Sequence, residues 1–176
     1  VQNILSDLFS SFTILVDKPF VPGDFIVVGE HMGVVEKIGI KTTRLRALQG
    51  EEIVISNREL TATRIQNFKR MKARRVLFRI GVVYETPSEL LEQIPDLVRD
   101  IIARQKNVAF DRAHFSSFDD SSLTFEIVYY VNSGDYKEYM DVHQRILFAI
   151  KREFERRGIS MAYPTRTVYL ARESAA

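Results

Sequence analysis

The sequence predicts an α+β fold: an amphipathic N-terminal helix, a small β-barrel of the Sm/SH3 type, and a ferredoxin-like α/β domain with an extra C-terminal strand. Three observations carry this. Apolar residues at the start recur with a helical period. Residues 18–68 then break into short β-rich runs punctuated by proline and glycine. Beyond residue 75 strand and helix patterns follow one another as β-α-β-β-α-β, the split unit of a ferredoxin-like fold.

Val1, Ile4, Leu5, Leu8, Phe9 and Phe12 share one helical face, with Gln2, Asn3, Ser6, Asp7 and Ser10 opposite. The β-prone run Thr13-Ile14-Leu15-Val16 predicts fraying near Phe12. Pro19, Pro22 and Gly23 supply turns, and strands are expected at 25–28, 33–38, 42–47 and 52–56, with Gln49-Gly50 turning the last hairpin. Residues 57–67 read as a short helical turn or connector. The run KRMKARR at 69–75 puts five positive charges in seven residues, as a solvated linker or as a positive rim.

Val76, Phe78, Ile80, Val82 and Tyr84 then alternate as a strand. Thr86, Pro87 and Glu89 predict an N-cap, a first-position proline and a capping-box glutamate. Leu90, Leu91, Ile94, Leu97, Val98, Ile101 and Ile102 give that helix its inner face, which Pro95 interrupts. Strands at 108–115 and 123–131 are joined by a turn at 119–122. A second helix over 135–157 turns Tyr139, His143, Ile146, Leu147, Ile150 and Phe154 inward, and Gly158 stops it. A strand at 159–163 completes the split unit and Pro164 ends it. The run 165–172 is left over, and an unpaired strand edge invites another chain, so self-assembly is expected.

Composition narrows the function. The chain has 176 residues, no cysteine and a net charge of only +2, from 25 basic and 23 acidic residues. Thiol nucleophiles, disulfides and iron–sulfur centres are excluded, and the charge is a weak footprint for nucleic acid. His31, His114 and His143 lack metal-ligand spacing. His143 reads as a core histidine, while His31 and His114 fall in or beside loops and receive no role. Asp119-Asp120 reads as a turn before it reads as a cation site. Nucleophile, zinc-protease and phosphate-loop motifs are missing, so no enzyme, cofactor or metal is expected. Phe78, Tyr84, Phe125, Tyr129 and Tyr130 raise RNA recognition, but they alternate with aliphatic residues as core residues do. The longest stretch without a charged or histidine residue is 8–16, too short for a membrane span. The chain opens on Val1 without methionine, and more protein is expected upstream.

Taken in order, KPFVPGDFIVV, MGVVEKIGIKTTRLR, EEIVISN and GISMAYP resemble the small-conductance mechanosensitive channel (MscS) family. Lys18, Pro19, Phe20, Gly23 and Asp24 are similar to that family's approach to its middle β-domain. The match continues through Val34-Val35-Glu36-Lys37-Ile38, Thr42-Thr43, the strand end at 53–57, Asn132-Ser133-Gly134-Asp135 and residues 158–164.

The resemblance implies a homo-heptameric, tension-gated ion channel in the cell inner membrane, with this portion forming a cytoplasmic vestibule pierced by portals. It also implies release of ions and small osmolytes on hypo-osmotic shock, partners in the lipid bilayer and permeating ions, and no nucleic acid. Residues 1–17 are implied to end the pore-lining helix and lead into the β-domain at 18–68. The vestibule domain follows at 69–164, then a barrel strand and tail at 165–176. Val1, Asn3, Leu5 and Leu8 are implied in the pore helix and force transmission. Pro19, Phe20, Gly23, Asp24 and Asn57 carry the β-domain signature. Lys69, Arg70, Lys72, Arg74 and Arg75 are implied in vestibule or portal electrostatics, and Val168, Tyr169 and Leu170 in an intersubunit barrel. The sequence departs from the family at Asn3, where glycine is common, at Ser10 and Ser11, which replace Ala or Gly, and at Ser56, which replaces a proline. A soluble oligomeric adaptor or RNA-binding module of the same two domain types is the alternative. An apolar segment of about 20 residues directly upstream separates the two, because only the channel requires one.

Overall fold

The computed structural model describes residues 2–166 and Val168, with side chains described from Phe9 onward. The chain divides into two compact units, Val1–Lys72 and Ala73–Ala176, so the break falls inside the basic run.

The first unit runs α1 (Gln2–Asp17), β1 (Phe25–Val28), β2 (His31–Ile38), β3 (Thr42–Arg46), β4 (Glu52–Ser56), α2 (Asn57–Ala62) and β5 (Ile65–Asn67). The strands pair antiparallel in the order β4-β3-β2-β1-β5. Among the described residues β4 and β5 do not pair, so the expected barrel is an open five-stranded sheet. Its fifth strand is a three-residue segment within the stretch expected to be a connector. Gly50 turns the β3–β4 hairpin at φ +99°, a left-handed conformation that glycine adopts without strain. Ile14, Phe20, Ile26, Val28, Val35, Leu45, Ile55 and Leu60 form the core.

Helix α1 does not fray at Phe12; it continues to Asp17. The β-branched residues Thr13, Ile14 and Val16 each cost a few tenths of a kcal/mol in a helix. Burying Ile14 completely returns about 2 kcal/mol, so packing overrides local preference. Thr13 Oγ1 also donates to the Phe9 carbonyl at 2.9 Å, a bond available only within a helix. The helix stops at Lys18, whose φ of +45° turns the chain into Pro19.

The second unit contains β6 (Arg74–Val82), α3 (Ser88–Ala103), β7 (Val108–Asp119), β8 (Ser122–Val131) and α4 (Tyr136–Arg157). Strand β8 lies between β6 and β7, antiparallel to both. The expected strand at 159–163 is reduced to one bridge, Met161 with Val82, flanked by Val83 N–H to Ser160 O at 3.1 Å and Ala162 N–H to Gly81 O at 2.9 Å. It still occupies the outer side of β6, which completes the ferredoxin-like order. Ile80, Val98, Ile102, Phe125, Tyr129, Ile146 and Phe154 are among the residues closing the core between helices and sheet.

Several local expectations are corrected. Arg74 and Arg75 belong to β6 and not to a linker. Strand β7 extends beyond its expected end to Asp119, and His114 lies inside it and not in or beside a loop. Thr86 does not cap α3: its hydroxyl donates to Val83 O at 2.7 Å, and the cap position passes to Pro87, whose carbonyl accepts from Leu90 and Leu91 N–H. The helix then runs unbroken through Pro95. On α4, Leu147 is exposed while Val142 fills the inner face. Asp135 caps that helix by accepting from Lys137 and Glu138 N–H, and Gly158 ends it at φ +71°.

Candidate functional site

The junction between α1 and the β-sheet concentrates the features that a simple structural helix would not need. Ser10, Ser11 and Ile14 face the sheet and α2, whereas Phe9, Phe12, Leu15 and Val16 point outward with 68%, 62%, 66% and 58% of their surface exposed. An amphipathic helix on a free-standing domain buries its apolar face. Here the small polar face is inward and the large apolar stripe outward, which is the sign of a surface covered by something else.

The inward face is held by a polar network. Asn57 is fully buried; its Oδ1 accepts from Thr43 Oγ1 at 2.8 Å, and its Nδ2 donates to Gly39 O at 2.8 Å and Ser11 Oγ at 3.0 Å. Ser11 Oγ also donates to the Ile40 carbonyl. Thr61 Oγ1 on α2 donates to Ser10 Oγ at 3.1 Å. Each polar group of the Asn57 amide is thereby satisfied, which burial demands. Thr61 was not singled out from the sequence, and Thr43 entered only within the Thr42-Thr43 match. Thr43 looks there like an ordinary strand threonine, and the local signal is the Ser10-Ser11 pair of small polar residues on α1.

The other signature residues build the turn after α1. Phe20 is fully buried, and Asp24, 5% exposed, accepts at Oδ2 from Val21 N–H at 3.1 Å and Asn67 Nδ2 at 2.8 Å. Asn67 also donates to Pro19 O at 3.1 Å, and Gly23, at φ +93°, donates its N–H to Val35 O at 2.8 Å. Arg46 on β3 grips Glu36 of β2 through Nε and Nη2 at 2.8 and 2.9 Å, and this hydrogen-bonded pairing lowers the Glu36 carboxyl below its usual range.

The basic run is divided between the units. Lys69 and Lys72 belong to the first, with Arg70, which donates to the Lys18 carbonyl. In the second, Arg74 lays its guanidinium over the rings of Tyr136 and Tyr139 at 5.4 and 5.2 Å, and Arg75 is exposed on β6. Val1 lies outside the described residues. So do the side chains of Asn3, Leu5 and Leu8, whose backbone is part of α1. Val168 is exposed, and Tyr169 and Leu170 lie outside the described residues. Among the described residues no cluster of metal-ligating side chains occurs and no helix is long and apolar enough to cross a membrane. Phe125 and Tyr129 are buried beneath the helices, which closes them to base stacking.

Comparison with known proteins gives the same picture on independent grounds. Residues 3–70 match the family model of the mechanosensitive ion channel β-domain, and residues 76–161 that of the C-terminal part of mechanosensitive ion channel MscS. An uncharacterized MscS family protein of Aquifex aeolicus is 39% identical over 96% of this chain and 46% of its own length. The large-conductance mechanosensitive channel MscMJLR of Methanocaldococcus jannaschii is 36% identical over 98% of this chain and 49% of its own. The chain thus spans about half the length of the curated relatives it matches. In fold it is similar to the closed-state crystal structure of Helicobacter pylori MscS, with a TM-score of 0.74 at 23% identity over 96% of this chain and 66% of that one. It is similar also to the cryo-EM structure of Arabidopsis thaliana MSL1 A320V, with a TM-score of 0.83 at 19% identity over 91% and 61%. Two models of one family that between them cover both units, and relatives aligned along nearly the whole chain, establish that this protein belongs to the MscS family of mechanosensitive ion channels.

Proposed function

We propose that this chain is the cytoplasmic vestibule portion of a tension-gated channel that releases ions and small osmolytes when the cell is diluted. The observation that carries the reading is the outward apolar stripe Phe9, Phe12, Leu15 and Val16 on a helix whose polar face is clamped to the β-sheet. On this reading the stripe packs against membrane-embedded parts of the intact protein, and Val1, Asn3, Leu5 and Leu8 continue that contact toward the pore. Membrane tension favours the conformation with the larger in-plane area, and α1 is the element through which that change reaches the β unit. Copies assemble as a homo-heptamer, with Val168, Tyr169 and Leu170 joining a shared C-terminal barrel whose closure removes strand edges. The exposed positive charges of the basic run act on permeating ions.

The intact protein, expressed in cells stripped of their own mechanosensitive channels, tests this. Survival of a sudden hypo-osmotic shock above the vector control is expected, and survival equal to the control contradicts the reading.

A further inference from the structure

We propose that His143 and Tyr129 form an acid-sensitive latch holding helix α4 on the three-stranded sheet. The inference is independent of the channel reading.

His143 is half-buried on the inner side of α4, and its Nδ1 lies 2.8 Å from the hydroxyl of Tyr129. Tyr129 is fully buried on β8, the central strand, so this one bond ties the helix to the middle of the sheet. The imidazole is walled by aromatic rings: Phe78 of β6 meets it edge-on at 5.3 Å, and Tyr139, one turn earlier on α4, stacks at 5.8 Å. Burial pushes the Tyr129 phenol well above its ordinary value, so it keeps its proton. In the neutral imidazole Nδ1 accepts from that hydroxyl when the ring proton is on Nε2 and donates to it when the ring proton is on Nδ1.

Among the described residues, the groups facing this pocket offer no counter-charge. From β8 the titratable group is Tyr129; from α4 it is Tyr139, with Tyr136 beyond it. From β6 it is Arg74, whose guanidinium already lies over both of those α4 tyrosines. Arg74 Nε is itself buried with no hydrogen-bond partner among the described residues, so the site already holds one cation before histidine titrates. Burial alone lowers the His143 pKa below the usual histidine value; no carboxylate contributes. In the protonated imidazole both nitrogens are donors, so Nδ1 can no longer accept the Tyr129 proton, and a second cation is placed beside the Tyr139 ring.

The sign follows from linkage. The unfolded chain, with a histidine pKa near 6.5, binds protons more readily than the folded one. Folded stability is therefore full above that pH and declines as pH falls toward the lower folded value. The latch is closed at neutral pH and opens in acid.

Hydrogen exchange at the backbone amides of α4, measured on the intact protein at pH 7.5 and 5.5 and corrected for intrinsic exchange, reads this directly. Wild type is expected to lose protection across that interval. His143→Asn keeps a polar acceptor but cannot titrate, and its protection should stay flat. Tyr129→Phe is the second variant and decides alone if His143→Asn does not fold. It should be less protected at pH 7.5, because the bond to His143 is gone. A wild type that stays flat, His143→Asn retaining the full acid step, or Tyr129→Phe as protected as wild type at pH 7.5 overturns the proposal.

Discussion

Asn57 Nδ2 stands 3.0 Å from Ser11 Oγ, a hydrogen bond between residues 46 apart that fastens α1 to the start of α2. The same amide holds Thr43 and the Gly39 carbonyl, so it joins the helix, the β2–β3 turn and β3 through one buried side chain. Asn57→Ala leaves those partners without hydrogen bonds in a closed environment. We expect a loss of about 2–3 kcal/mol in the first unit, checked by the urea midpoint of unfolding. A variant as stable as wild type would show that water enters the site and replaces the amide.

Gly33 on β2 lies against the backbone of β3: a Cβ added there would sit 2.5 Å from the Arg46 carbonyl oxygen and 2.9 Å from its carbon. Neither atom belongs to a flexible side chain, so the strands must separate to admit it. Gly33→Ala should cost about 1–3 kcal/mol, the range for overpacking. The thermal midpoint of this variant measures it, and the intervening Glu36–Arg46 pair should weaken with it.

Glu153 on α4 accepts from Arg156 Nε at 2.9 Å and Arg157 Nε at 2.8 Å, and these bonds bring its carboxyl down to about 2. A carboxylate lowered in the folded state stabilises it above the unfolded value near 4.3, and that contribution is lost as pH falls toward the folded value. Acid titration of Glu153→Gln should therefore converge with wild type between pH 4.5 and 2. Curves that run parallel throughout would remove Glu153 from the acid response.

Exposed cations of the basic run have a different readout. Replacing Lys69, Lys72 and Arg75 with glutamine in the intact protein, leaving Arg70 and Arg74 on their partners, should move the reversal potential in a salt gradient toward cation selectivity. An unmoved reversal potential assigns these charges to solvation alone.

Both units were legible in the sequence because their apolar patterns are strong: the alternation through Leu123, Phe125, Ile127, Tyr129 and Val131 becomes the buried face of β8. Misreadings cluster where tertiary contact outvotes local preference. Thr13 to Val16 favour a strand until Ile14 is buried against the sheet. Thr86 has the spacing of an N-cap, but a closer carbonyl at Val83 takes its hydroxyl. Ile65–Asn67 is too short to show a period and becomes a strand only by pairing with β1. The Asn57 network was half visible. Asn57 and Thr43 drew attention through family likeness, but their bond to each other, and the role of Thr61, appear only when residues distant in sequence meet.

The most direct test of the account is a tension ramp on membrane patches containing the intact protein, wild type beside Phe12→Asn. The account predicts step-like currents that appear above a threshold tension in wild type. It predicts a shifted threshold in the variant, because Phe12 lies in the exposed stripe that we propose packs against the membrane part. Patches that stay silent up to rupture would contradict the channel reading. An identical threshold in Phe12→Asn would contradict the role given to α1.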